Sequence, residues 1–314
     1  MAMDKVVDYI SILGPTAFGK TRMLLDLAHD FPDKFEIISV DSVQVYRGLD
    51  IGSAKPSFVE RQLVPHHLID CVDVDQPYSA YDFCEQAKFA IKSIKSRGKI
   101  PILSGGTMMY YHAFENGIAP IPTISDDAKE QVRSVLMKGE LYAWNLLVTV
   151  DPKVALRIKS ADRQRIQRAL EVFFASGKPI TYWQQKTKRI HDFHGKQMVL
   201  YPEDRQFFHN RIALRFQKML DDGLVAELDA LRIKYKENLD INKSSIRSIG
   251  YRQVWEYLHG RLSYDAMRDK AITATRRYLK RQCTWLKKWP DAYARFSNVS
   301  DCFQAITSIL SSLR

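Results

Sequence analysis

The sequence predicts an α/β fold: a parallel sheet core, an all-helical insertion and a helical C-terminal part. Three observations predict it. Short apolar runs alternate with helical patterns as far as residue 120. The first apolar run leads straight into a glycine-rich loop and then a helix. After Pro120 and Pro122 the texture turns helical. A chain of 314 residues suits roughly two domains, and no apolar run reaches the ~18 residues of a membrane span.

Residues 7–13 (VDYISIL) read as a buried strand. They run into Gly14, Pro15, Thr16, Ala17, Phe18, Gly19, Lys20 and Thr21, which fit G-x-x-x-x-G-K-[ST]. Residues 22–29 follow as a helix with Leu24, Leu25 and Ala28 on one face. The glycines let backbone N–H groups wrap a phosphate chain, and the helix N-terminus adds its positive dipole end. Lys20 neutralises phosphate charge, and the Thr21 hydroxyl suits Mg²⁺. The core is therefore P-loop NTPase-like and binds a phosphate or diphosphate; the motif does not specify ATP.

A second strand, residues 37–40, ends at Asp41 and Ser42. A helix over 79–97 leads to a third strand, 100–103, which ends at Ser104, Gly105, Gly106 and Thr107. Ligands of parallel sheets gather beyond the C-terminal strand ends, where all three polar clusters sit. Asp41 has three readings: a carboxylate for Mg²⁺, a general base beside the P-loop, or a helix N-cap. Thr107 follows two glycines and either meets a ligand or caps a tight turn.

His66 and His67 diverge on a strand, so packing or hydrogen bonding is expected rather than a metal. Tyr110, Tyr111, Trp285 and Trp289 read as core. Cys71, Cys84, Cys283 and Cys302 form no CxxC pair, which speaks against zinc and disulfides and for a cytosolic chain. The N-terminus, with Asp4 and Asp8, lacks the features of a signal peptide.

The helical insertion is expected over 121–204, with a helix from Arg163 stopped at Gly177-Lys178-Pro179. Helical patterns return at 205–222, 224–236, 250–259 and 264–289, with a final amphipathic helix at 301–314. The P-loop core thus comprises 1–120 and 205–314, interrupted by the insertion.

Charge follows the same division. Lys and Arg number 47 against 36 Asp and Glu, a net +11. Residues 1–120 carry −3, 121–204 carry +4, and 205–314 carry +10. An acidic front and a strongly basic back suggest a catalytic core joined to a polyanion-binding part. Residues 163–168 are basic and amide-rich on a helix. Over 276–289, Leu279, Cys283 and Leu286 continue an apolar stripe from Ile272, while Arg277, Arg281 and Lys288 form a basic one. Six basic residues and no acid lie between 276 and 288, a pattern for phosphate-backbone contacts.

Several segments together resemble a known family. GPTAFGKT at 14–21, DSVQVYRGLDIGSAKP at 41–56, HHLID at 66–70, PYSAYDF at 77–83 and PILSGGTMMYY at 101–111 are similar to the tRNA isopentenyltransferase family. So are DRQRIQRALEVFFASGKPIT at 162–181, IRSIGYRQVWEYLHG at 246–260 and RRYLKRQCTWLKKW at 276–289. The resemblance implies a cytoplasmic, monomeric tRNA dimethylallyltransferase that uses Mg²⁺. Such an enzyme moves a dimethylallyl group from its diphosphate to N6 of adenosine 37, beside the anticodon. The insertion would grip the anticodon stem-loop.

On that resemblance, Gly14 to Thr21 bind the diphosphate. Lys20, Mg²⁺ on Thr21, and either Arg211 or Arg215 stabilise charge on the leaving group. Asp41 takes the proton from the adenine amine, and Thr107 orients the amine or touches the diphosphate. The base is flipped out of its loop to reach the allylic carbon. The tRNA contacts implied are Asp41, Ser42, Val43, Gln44, Thr107, Lys129, Gln164, Arg165, Ile166, Gln167 and Arg168. They continue with Arg247, Ser248, Ile249, Gly250, Tyr251 and Arg252, then Lys280, Arg281, Gln282, Cys283, Thr284, Trp285, Leu286 and Lys287.

Departures from the family pattern are small. Phe18 stands where Ser is common, Ser53 where Thr is frequent, and Lys129 near an expected Arg. The zinc-finger extension of eukaryotic members is not found, so the bacterial type is expected. The rivals are a small-molecule kinase, a transferase acting on free adenine nucleotides, and an RNA-binding switch. The basic 205–314 segment argues against the first two, and polar residues at three strand ends argue against the last.

Overall fold

In the computed structural model, residues 7–204, 206–290 and 292–312 are described. Asp4, position 205 and the last two positions of the expected final helix lie outside them. Strand β1 (Tyr9–Leu13) is buried at all five positions, because it has a parallel neighbour on each side. Helix α1 (Lys20–Asp30) follows the P-loop, then come β2 (Phe35–Val40), α2 (Phe58–Leu63), β3 (His66–His67), α3 (Ala80–Ser96), β4 (Ile100–Gly105) and α4 (Met108–Asn116). Five helices come next: α5 (Asp126–Met137), α6 (Glu140–Val150), α7 (Pro152–Ala155), α8 (Arg163–Ser176) and α9 (Ile180–Gln184). The chain then forms β5 (Gly195–Leu200), α10 (Gln206–Asp221), α11 (Leu224–Tyr235), α12 (Tyr251–Leu258), α13 (Tyr264–Lys287), β6 (Ala294–Phe296) and α14 (Val299–Ser312).

The strands form one parallel sheet in the order β3-β2-β4-β1-β5-β6. Register brings the C-terminal ends of the central strands level: Gly105 of β4 pairs with Leu13 of β1 and with Val40 of β2. A Cβ at Gly105 would lie 2.1 Å from the Val40 carbonyl oxygen, so this approach requires glycine. The P-loop, Asp41 and Thr107 therefore emerge side by side. At the outer edge, Glu36 is 3% exposed and is held by His67 Nε2 at 2.6 Å and Arg97 Nη2 at 2.6 Å. His66 bonds the Val64 carbonyl. Both histidines thus have hydrogen-bonding roles.

Chain contacts divide the protein into two units. The first runs up to His112 and resumes at His191; its core joins Ile10, Ile12, Leu24, Leu200, Leu279 and Ile306. The second, Ala113–Ile190, is built of helices around Val132, Leu147, Ile166 and Leu170. Its buried Asp151 accepts N–H bonds from Val154 and Thr181 and the Thr181 hydroxyl. Helix α8 ends at Gly177, whose φ of 64° is left-handed.

The expectation of a mostly helical insertion over 121–204 is corrected at its C-terminal end. Residues 195–200 form β5, which pairs with β1 and belongs to the first unit. Six residues are too few for periodicity to distinguish strand from helix, and the partner is far away in sequence. Strand β6 was not expected either; it pairs with β5. Tyr110, Tyr111 and Trp289 are buried as expected, but Trp285 is 43% exposed, because it lies off the apolar stripe of α13.

Candidate active site

Lys20 opens α1 directly after Gly19, whose φ of 104° lets the loop turn into the helix. The Lys20 ammonium folds back onto the loop, donating to the carbonyls of Gly14 at 2.6 Å and Pro15 at 2.9 Å. Burial and the nearby Arg215 guanidinium bring this ammonium down to about 7, while Asp41 pulls the other way. Arg215 is likewise lowered, first by burial; Asp41 opposes this, and the neighbouring Arg211 adds to it. Three cations thus crowd one place beside the Asp41 carboxylate, an arrangement that an incoming anion relieves.

Asp41 directly follows the last residue of β2. Its Oδ1 accepts the Val43 N–H at 2.8 Å and the Gln44 N–H at 3.3 Å. This fixes the carboxylate and leaves Oδ2 outside those bonds. Thr107, 9% exposed, accepts the Ser42 N–H on its hydroxyl oxygen at 3.1 Å. The two strand-end residues of the sequence reading are therefore tied to one another through Ser42.

Two cavities meet here. The first, about 530 Å³, is lined by the P-loop from Thr16 to Thr21 with Arg211, Arg215, Asp41 and Gln44. The second, about 340 Å³, is lined by Ser42, Val43, Thr107, Arg247, Ser248, Ile249, Gly250 and Arg281. Asp41, Arg215, Thr16 and Tyr278 line both. One compartment is therefore rich in anion-binding groups, the other offers a mixed apolar and polar wall, and a carboxylate stands at their junction. Phe18 is buried against Phe208 with ring centroids 5.3 Å apart.

The implied RNA contacts separate by burial. Arg277, Lys280, Arg281, Thr284, Trp285 and Lys287 are exposed on α13, whereas Gln282, Cys283 and Leu286 are buried on its other side. Tyr251 is fully buried and bonds Glu227 at 2.6 Å; Arg252 pairs loosely with Glu256. In the second unit, Gln164, Arg165, Gln167 and Arg168 are exposed on α8 while Ile166 is core, and Lys129 is exposed beside Asp126. The buried members of these segments lie on the packed sides of their helices, because a helix buries one face as it presents the other. Tyr278 was missed as a site residue. The signal available was a polar residue four before Gln282, on the side of the apolar stripe.

The pattern of the IPP transferase family matches residues 44–289. The chain belongs to this family. Curated members similar to it include the tRNA dimethylallyltransferases of Coxiella burnetii (strain Dugway 5J108-111) and Legionella pneumophila (strain Corby). The first is 43% identical, covering 92% of this chain and 93% of the relative. The second is 42% identical, covering 92% and 91%. Among solved structures, the full-length tRNA isopentenylpyrophosphate transferase of Bacillus halodurans matches with a TM-score of 0.64 at 29% identity, covering 97% of both chains. A eukaryotic dimethylallyltransferase acting on tRNA matches with a TM-score of 0.76 at 27% identity, covering 96% of this chain and 77% of that one. The chain therefore shares both sequence and fold with these tRNA transferases.

For a metal, no group of three His, Cys, Asp or Glu side chains that could hold one occurs among the described residues. Mg²⁺ does not need such a cage: it keeps several waters and shares phosphate oxygens, using one or two hard protein donors. Thr21 and Asp41, both lining the first cavity, are donors of that kind.

Proposed function

We propose that the protein transfers a dimethylallyl group from dimethylallyl diphosphate to N6 of adenosine 37 in tRNA, as a cytoplasmic monomer. The observation that carries this reading is the meeting of an anion-binding cavity and a second cavity at Asp41, with Thr107 on the wall of the second. The diphosphate lies in the P-loop against Lys20 and Arg215, with Arg211 at the exposed rim. Arg215 is the better choice of the two arginines, since it lines both cavities.

The flipped adenine enters the second cavity, where Thr107 orients its amine. The C1–O bond of the allyl group breaks as the N6–C1 bond forms. The electron pair leaves with diphosphate, where the buried cations stabilise it. Asp41 Oδ2 accepts the amine proton. Mg²⁺, held by Thr21 and the phosphate oxygens, would supply further charge neutralisation. The exposed basic residues of α13 would meet RNA phosphates, and in the second unit those of α8 would likewise.

Labelled dimethylallyl diphosphate incubated with tRNA carrying adenosines 36 and 37 is expected to give N6-dimethylallyladenosine. Label on free AMP, or ATP consumption without label transfer, would sink this reading.

A further inference from the structure

Gln282 lies in the last third of α13 and is 2% exposed. Its Oε1 accepts the N–H of Thr16 in the P-loop at 3.1 Å. Its Nε2 donates to the carbonyl of Gly106 at 2.8 Å. The orientation of this amide is forced, because a backbone N–H only donates and a carbonyl only accepts. One side chain therefore ties two loops, from different strand ends, to one helix.

Tyr278, one turn earlier, donates its hydroxyl to the same Gly106 carbonyl at 3.1 Å. Gly106 immediately precedes Thr107, which accepts the Ser42 N–H beside Asp41. A Cβ at Gly106 would lie 2.6 Å from Gln282 Nε2, so the loop is shaped to the amide. On the other side of the helix, Arg277 and Lys280 are exposed, and Arg281 is exposed beside the Tyr278 ring.

We propose that Gln282 is a positioning residue that couples occupancy of the basic face of α13 by tRNA to the geometry of the diphosphate loop and of Thr107. The proposal rests on the prenyl-transfer reading. RNA phosphates engage the exposed face of the helix, and the buried edge transmits any shift of the helix to Thr16 and Gly106 through two hydrogen bonds. Neither loop can follow a different path while the amide holds both.

The test is the dissociation constant of inorganic diphosphate, measured by calorimetry with and without a saturating anticodon stem-loop RNA. In the wild type the RNA is expected to change it about fivefold or more, an ordinary coupling. In Gln282→Met, which keeps the volume and removes both bonds, that ratio falls to near one while RNA affinity alone stays within about twofold. Gln282→Glu keeps the acceptor and loses the donor, and Tyr278→Phe loses only the second bond to Gly106. Both are expected to give intermediate ratios, and they carry the test if the Met variant does not fold.

A ratio unchanged in these variants, or a wild-type ratio of one, overturns the proposal. A role confined to stability would weaken the fold and leave the ratio untouched, which also overturns it. Dimethylallyl transfer by the wild type is scored separately. No product refutes the underlying reading, whereas product together with an unaltered ratio refutes the coupling alone.

Discussion

Replacing Asp41 by Asn separates the two things this residue does. Its Oδ1 holds the turn through the N–H groups of Val43 and Gln44. An Asn keeps an acceptor oxygen at that place, so the turn persists, while the amide nitrogen replaces the oxygen that would take the proton. Loss of a general base lowers the rate about 10²–10⁴-fold, or about 3–5 kcal/mol of transition-state stabilisation. Asp41→Ala loses the same base and both turn bonds, a further cost to stability of about 1.5–3 kcal/mol for each hydrogen bond to a charged group. Single-turnover transfer with saturating tRNA reads the chemistry, filter binding reads RNA affinity, and thermal unfolding reads the fold. Asp41→Asn is expected to lose rate with little loss of binding or stability. A variant that keeps more than about a tenth of the rate, or loses affinity as much as rate, would refute the general-base assignment.

Three further outcomes follow from the same geometry. Arg277→Glu with Arg281→Glu should weaken RNA binding and flatten its log–log salt dependence by about 1–2 units, as measured by filter binding across a salt series; an unchanged slope removes α13 from the interface. Burial alone would raise the Glu36 carboxyl, but hydrogen bonds from Arg97 and His67 hold it at about 2. The resulting stability, about 3 kcal/mol, is present above pH ~4.5 and lost as pH falls towards 2; acid unfolding of Glu36→Gln should lack this component, and identical acid profiles would discount it. In metal-free buffer, diphosphate binding above pH ~7 should draw a proton onto Lys20, since the anion raises an ammonium held at about 7 in the free protein. Calorimetry in buffers of different ionisation enthalpy reads that uptake, and equal uptake by Lys20→Arg would assign the proton elsewhere.

The parts of this architecture that are local in sequence were legible in it. The strand–loop–helix at residues 7–30 and the polar ends of β2 and β4 fall where the spacing puts them. The basic face of α13 is also as read, with Leu279, Cys283 and Leu286 buried beneath it. What escaped depends on distant partners. Strand β5 begins Gly195-Lys196-Gln197, polar by composition, and Gly195 clears the Tyr9 ring, which a Cβ would meet at 2.3 Å. The role of Gln282 depends on which loops pass the buried edge of its helix, and helical periodicity carries no such information. Trp285 escaped for the opposite reason: aromatic character suggested core where the helix presents it outward.

The placement of β5 also bears on how the protein is made. Tyr9 pairs with Gly195, so the P-loop strand leaves the ribosome well ahead of one of its two neighbours and waits for it. At about 5–20 residues per second that delay is roughly ten to forty seconds. Through it the nascent sheet presents a backbone edge with open donors and acceptors, the kind that pairs with other chains. The helical unit is completed within this interval and can fold on local contacts while the edge stands open. Trapping of nascent chains by chaperones, or their aggregation, should concentrate at lengths before residue 200 has left the ribosome and fall sharply beyond it.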